Sequence, residues 1–285
     1  MKITVTIKTV IIALSVALAG LVGVAGYMTL NAPVEETTPT ETTQPPTTEP
    51  TTVPTEPVET TEPAPTEPDP KHLELLAMNE QNEDIDCWLV IDDTVIDYPV
   101  AYTPDEPEKY DRLSVEGTYS YYGTLYIGKQ CSFEPESENL IIYGHNLENG
   151  KMFSDLNLYK DVEYWEEHPL IKFYTLEGGR TYKIMAAFYD RIYYSYEDVF
   201  KFYKFVNAED EEDFNNAMAA YAEKALYDTG VEAEYGDRLL TLITCSYHHT
   251  YGRFVVVAVE MDAEELAALQ QAEAELATDP TEPTA

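Results

Sequence analysis

Residues 239–260 read Leu-Leu-Thr-Leu-Ile-Thr-Cys245-Ser-Tyr-His-His-Thr-Tyr-Gly-Arg253-Phe-Val-Val-Val-Ala-Val-Glu, and this stretch leaves the chain few architectures. Two apolar, β-branched runs flank a short polar loop, which predicts a strand, a turn and a second strand. Cys245 then ends the first strand and Arg253 opens the second, side by side at one rim of a sheet. A thiolate is a strong nucleophile. A planar cation fixed beside it favours ionisation of the thiol and stabilises the oxyanion formed on attack at a carbonyl. The missing part is a proton carrier. Asn139-Leu-Ile-Ile-Tyr-Gly-His145-Asn146 supplies one, because a continuous apolar run predicts a central strand that delivers His145 into a loop.

Only the middle of the 285 residues can build a core. From Asn31 to Pro70 the chain is almost entirely Thr, Pro and Glu, with nine acids and no Lys or Arg; Asp262 to Ala285 has seven acids and none either. These two flanks hold 16 of the negative charges behind a formal net charge of -36, and the remainder is still acidic. No basic face is available for phosphate, so a nucleic-acid partner is excluded. Residues 31–70 cannot bury enough apolar surface to offset the entropy of ordering, and their prolines favour an extended linker with a reach of up to ~120 Å. Three cysteines, Cys87, Cys131 and Cys245, show no metal-type spacing. Cys87 and Cys131 are read as two buried free thiols, with a disulfide between them as the alternative.

Residues 1–8 carry Lys2 and Lys8, and Thr9 to Val34 contains no charge. The expectation is a transmembrane signal-anchor over residues 9–30, N-terminus inside and the rest of the chain outside. A cleaved signal peptide is the competing reading, given Ala17-Leu-Ala19-Gly20 and Val24-Ala25-Gly26. The uncharged run is longer than the ~7–15-residue core of a signal peptide, which favours the anchor. No cysteine stands near its end to support a lipid anchor.

The folded part is expected from Lys71, opening on a short helix through Asn79. Trp88 to Val100 predicts two strands around a turn at Asp92-Asp93, and Tyr119 to Ile127 a further strand. Met152–Tyr159 and Asp161–His168 predict short helices, the second stopped by Pro169, with His168 as a cation near the helix C-terminus. Leu170–Tyr174 and Arg180–Tyr189 predict a hairpin around Glu177-Gly-Gly179. Asp210–Tyr227 predicts a helix whose acids Glu209 to Asp213 suit its N-terminal turn; a calcium site is the sharper but less supported reading. Asp262-Ala-Glu-Glu265 fits a capping box opening a short helix in the tail, residues 262–285.

Leu-Ile-Ile-Tyr-Gly-His145-Asn, Gly150-Lys-Met-Phe, Leu-Thr-Leu-Ile-Thr-Cys245 and Arg253-Phe-Val-Val-Val resemble, in their order, the sortase transpeptidases, most closely class B. The resemblance spans roughly residues 71–261. It implies a mainly β fold, a closed, mostly antiparallel, eight-stranded β-barrel with helical insertions and an N-terminal helical segment. The insertion between the last strand pair and the strand before it would wall the substrate groove. Cys87 stands where the family places Gly before Trp88. Ser246 stands where some class B members carry an acid.

The resemblance also implies an activity. A sorting motif near the C-terminus of a secreted protein would be cleaved after Thr, and its acyl group passed to an amine of a peptidoglycan precursor or a pilin Lys. Cys245 would be the nucleophile, His145 the acid and base, and Arg253 the oxyanion or backbone ligand. Thr244 and Tyr247, which flank the thiol, are expected to contact substrate. No cofactor or metal is expected. The chain would sit in the membrane of a Gram-positive-type cell as a single-pass protein with its catalytic domain outside. His248 and His249 are rivals for the base. A hydrolytic cysteine peptidase and a non-catalytic wall-binding domain are the alternative functions.

Overall fold

The structure is a computed structural model, and it describes residues 69–278. Eight strands close a barrel in the order β1-β2-β3-β4-β7-β8-β6-β5. They are β1 Ile85–Val90, β2 Asp97–Ala101, β3 Leu125–Ile127, β4 Asn139–Tyr143, β5 Leu170–Thr175, β6 Gly178–Arg191, β7 Leu239–Cys245 and β8 Gly252–Glu260. Two neighbour pairs, β2–β3 and β4–β7, are parallel and the other pairs are antiparallel. The expected eight-stranded barrel is therefore present.

The strands that carry the site are the most enclosed. In β7 every residue before Cys245 is buried, and in β8 so is every residue from Phe254 to Val259. Both faces of this sheet are covered, which is why the two strands read as unbroken apolar runs rather than alternating ones. Much of the outer cover comes from the 192–238 connection between β6 and β7. There α3, Glu211–Lys224, places Tyr221 with its ring 5.9 Å from that of Phe188 on β6. Asp210 caps α3, its side chain accepting from Asp213 N at 2.9 Å, so the acid run does serve the helix N-terminus.

The first helix, α1, spans Pro70–Asn79; Asp69 caps it by accepting from Lys71 N at 2.8 Å. With β1, β2 and β5 it forms a second, smaller core around Leu75, Trp88, Tyr110 and Tyr174. A 3-10 helix over Ser154–Lys160 and then α2, Val162–Glu167, stand in the places of the two short helices. His168 caps α2, and its Nδ1 is 3.0 Å from Asp92 O. The last helix, α4, spans Ala263–Thr278, and its capping box is complete: Glu265 N donates to Asp262 Oδ1 and Asp262 N to Glu265 Oε2.

Two expectations change. The strand expected over Tyr119–Ile127 is confined to Leu125–Ile127. Tyr119 is 77 % exposed, and Gly123, at φ +62°, turns the chain before the strand starts. The membrane placement is corrected as well. Among the described residues no helix is long and apolar enough to cross a membrane. The anchor expected over 9–30 lies outside the described residues, as do the linker up to Pro68 and the last seven residues, and the single-pass localisation is withdrawn.

Candidate active site

Strand pairing brings the chemistry together. Cys245 and Arg253 are register partners at the open end of the β7–β8 ladder. Parallel pairing of β4 with β7 sets Tyr143 opposite Ile243, and the ladder runs one step further. Gly144 N donates to Ile243 O at 3.2 Å, and Thr244 Oγ1 donates to Gly144 O at 2.8 Å. The next residues are His145 on one side and Cys245 on the other, with Asn146 Nδ2 donating to Cys245 O at 2.9 Å. Gly144 is required by this closeness: a Cβ there would stand 2.4 Å from Leu125 Cδ2 and 2.6 Å from Phe153 Cδ2.

Residues paired across a sheet share a face, and successive residues alternate. Cys245, Arg253 and Asp190 form one such row, since Arg253 is also the partner of Asp190 on β6. Tyr143 and Tyr126 are paired across β4 and β3, with rings stacked at 5.6 Å. Burial pushes both phenols up, so each keeps its proton as a hydrogen-bond donor near neutral pH. The two charged members of the first row do not neutralise each other. Asp190 is held by Lys224 Nζ at 3.0 Å, by Tyr193 OH at 2.5 Å and by Arg191 N at 2.8 Å. Arg253 Nη1 donates to Gly252 O at 2.9 Å, and among the described residues its guanidinium makes no ion pair. Its remaining N–H groups are free for an external acceptor.

The other expected residues separate. Thr244 is 1 % exposed, and its hydroxyl is spent on Gly144 O, so it ties the two strand ends together. Tyr247 is 82 % exposed in the β7–β8 loop. His248 Nδ1 lies 3.0 Å from Ser246 Oγ, and its ring packs 4.9 Å from that of Tyr189. Tyr189 pairs with Phe254, one step from Arg253, so the sheet face beneath His248 is the one opposite Cys245. His249 is exposed, with Nδ1 2.6 Å from Thr250 O. His145 instead places Nε2 2.8 Å from Asp111 O and 3.4 Å from Asp111 Oδ1. Sequence reasoning missed Asp111; it lies in a one-turn 3-10 helix, Lys109–Arg112, 34 residues away, and no spacing pattern marks it.

This constellation has the parts that acyl transfer needs: a partly exposed thiol at a strand end, a cation in register with it, and an imidazole brought in by the adjacent strand. The described residues include no group of three or more His, Cys, Asp or Glu that could hold a metal. Residues 89–261 match the Sortase domain family model. Sortase B of Listeria monocytogenes serovar 1/2a is 31% identical over 187 residues, which cover 64% of this chain and 72% of that protein. The Staphylococcus aureus sortase B-substrate complex superposes with a TM-score of 0.59 at 23% identity, covering 67% of this chain and 86% of that one. A sortase B structure complexed with triglycine gives 0.59 at 23%, covering 67% and 87%. A thiol, an imidazole and a guanidinium on a barrel of this topology, within a matching family domain, lead to one conclusion: the chain belongs to the sortase family, and it is a class B-like cysteine transpeptidase.

Proposed function

We propose that the transpeptidase acts on secreted proteins carrying a C-terminal sorting motif, cleaves after Thr, and passes the acyl group to an amine through Cys245, His145 and Arg253. Cys245 Sγ passes its proton to His145 as it attacks the Thr carbonyl carbon, and Arg253 receives the charge that develops on its oxygen. His145 gives a proton to the departing amine as the C–N bond breaks. A thioester remains on Cys245. The incoming amine then attacks it, His145 takes the amine proton, and the thiol is regenerated.

The observation that carries this reading is the pairing of Cys245 with an Arg253 that no carboxylate occupies among the described residues. A free guanidinium in register with the nucleophile is what an oxyanion needs. The relatives support the two reactant classes, since one solved sortase B is bound to substrate and another to triglycine, a peptide with a free amine. A neutral amine outcompetes water at a thioester once it is positioned. We assign the acceptor to a peptidoglycan precursor amine, with a pilin Lys as the other amine of the same chemistry. The catalytic unit is taken as residues 71–261, with 31–70 as its linker and 262–285 as an acidic tail.

The test uses the full chain, a quenched library of Thr-containing sorting peptides, added amine acceptors, and Cys245→Ala alongside. The expected result is an amine-ligated product that the variant does not form. Cleavage without ligation across several acceptors would make the enzyme a hydrolase. No cleavage, together with a Cys245 slow toward thiol reagents, would leave a wall-binding domain.

A further inference from the structure

We propose that His145 exchanges its proton only through Nδ1, because Asp111 fixes Nε2 as an N–H, and that Asp111 and Gly123 are the positioning residues of this arrangement. The inference rests on the reading of His145 as the proton carrier.

The direction of the hydrogen bond decides the tautomer. His145 Nε2 stands 2.8 Å from the main-chain oxygen of Asp111. A carbonyl oxygen only accepts, so Nε2 carries hydrogen in the neutral ring and in the cation alike. In the neutral ring the lone pair is then on Nδ1, and no group among the described residues bonds that nitrogen. The Asp111 carboxylate, 40 % exposed, reaches the same Nε2 at 3.4 Å, and its other oxygen lies 3.5 Å from Arg112 Nε. It stabilises the imidazolium that exists while the proton is held, without taking the proton itself. In acylation Nδ1–H gives its proton to the amine that leaves as the S–C bond forms and the C–N bond breaks. In deacylation Nδ1 recovers a proton from the attacking amine.

The carbonyl is held in place by a built loop. Asp111 N donates to Glu108 O at 3.1 Å, Thr124 N donates to Tyr110 O at 3.0 Å, and Arg112 Nη1 donates to Tyr121 O at 2.9 Å. Gly123 lies flat against the peptide that matters. A Cβ on it would stand 2.5 Å from Asp111 O and 3.0 Å from Asp111 C, and its φ of +62° also favours glycine. Any side chain at 123 displaces the oxygen that orients His145.

The experiment reads ring nitrogens directly. The full chain is labelled with 15N-histidine, and the His145 signals among the five histidines are assigned by their loss in His145→Gln. Neutral wild-type His145 is expected to show hydrogen on Nε2 and a pyridine-type Nδ1. Gly123→Ala is expected to mix the two tautomers and to lower kcat about 10- to 100-fold with little change in KM. Asp111→Asn keeps the carbonyl, so it should keep the tautomer while lowering kcat with little change in KM. A wild-type Nδ1–H tautomer overturns the proposal without any variant. A Gly123→Ala protein with the wild-type tautomer and kcat removes Gly123 from it, and an unchanged kcat in Asp111→Asn removes the carboxylate. A fully active His145→Gln would instead sink the underlying assignment of the proton carrier, whatever the tautomer.

Discussion

Cys87 in the barrel wall, Cys131 buried in the connection between β3 and β4, and Cys245 at the rim are the same functional group in three settings. Cys87 is fully enclosed on β1, and burial pushes its thiol far up, with Asp86 adding to the effect. Burial pushes Cys131 up to about 11, although Ile141 N donates to its sulfur at 3.3 Å. At pH 7 a thiol of that kind is ionised in about one molecule in ten thousand. Both are free, as read from the sequence. Cys245 is partly exposed, has Arg253 as its register partner, and sits where β4 delivers an imidazole. Residue type alone therefore assigns nothing. Burial and position at the barrel rim separate two small core residues from the proposed nucleophile.

The largest effects are expected at the rim. Cys245→Ala should abolish ligation, with turnover reduced by at least about 1000-fold and the melting temperature little changed; surviving turnover would move the nucleophile elsewhere. Next comes the cation. Arg253→Ala should lower kcat by about 100- to 1000-fold, and Arg253→Lys should recover only part of it, because an ammonium lacks the planar fork; full activity in Arg253→Ala would end its oxyanion role. Thiol labelling separates the buried thiols from the rim without a catalytic readout. Native protein at pH 7 should react at Cys245 alone, and Cys87 and Cys131 should label only after denaturant is added; labelling of Cys131 in the native state would show that the connection between β3 and β4 opens. Cys131→Ala should cost about 1–2 kcal/mol of stability by denaturant titration and leave kcat unchanged.

The smallest effect lies beside Cys87. Burial raises the Asp86 carboxyl to about 6, above the usual carboxylate range, with Asp84 and Glu177 adding to the shift. The folded state thus holds this proton more tightly than the unfolded chain. Its contribution to stability is present below about pH 4 and lost as pH rises through about 6. Asp86→Asn should therefore gain about 1–2 kcal/mol at pH 7.5 relative to wild type and show a flatter stability profile between pH 4 and 7. An unchanged pH profile in a folded variant would mean that Asp86 ionises freely.

What is legible in the sequence follows from the range of the interactions involved. β4, β7 and β8 are readable because burial on both faces writes an unbroken apolar run into the chain. The Asp262–Glu265 box is readable because its two hydrogen bonds span three residues. Tyr119 to Tyr122 mislead. Tyrosine favours strands, yet here the rings are solvent-facing and the backbone makes only an isolated antiparallel bridge, Leu113 with Tyr119, through Ser114 N to Thr118 O and Ser120 N to Arg112 O. Cys245, His145 and Arg253 are located by their strand-end positions. Asp111 is not, because its bond to the imidazole comes from the main chain, and a carbonyl has no residue identity to read.

The hydrogen bond from Thr244 to Gly144 joins positions 100 residues apart. During synthesis at ~5–20 residues per second, that separation amounts to about 5–20 s on the ribosome. His145 is made before Cys245, so every nascent chain passes through a stage in which it holds the proposed proton carrier and not the proposed nucleophile. On the proposed mechanism, a chain released before residue 245 would be inert toward acyl donors. Completion of translation is in this sense the enzyme's first activating event.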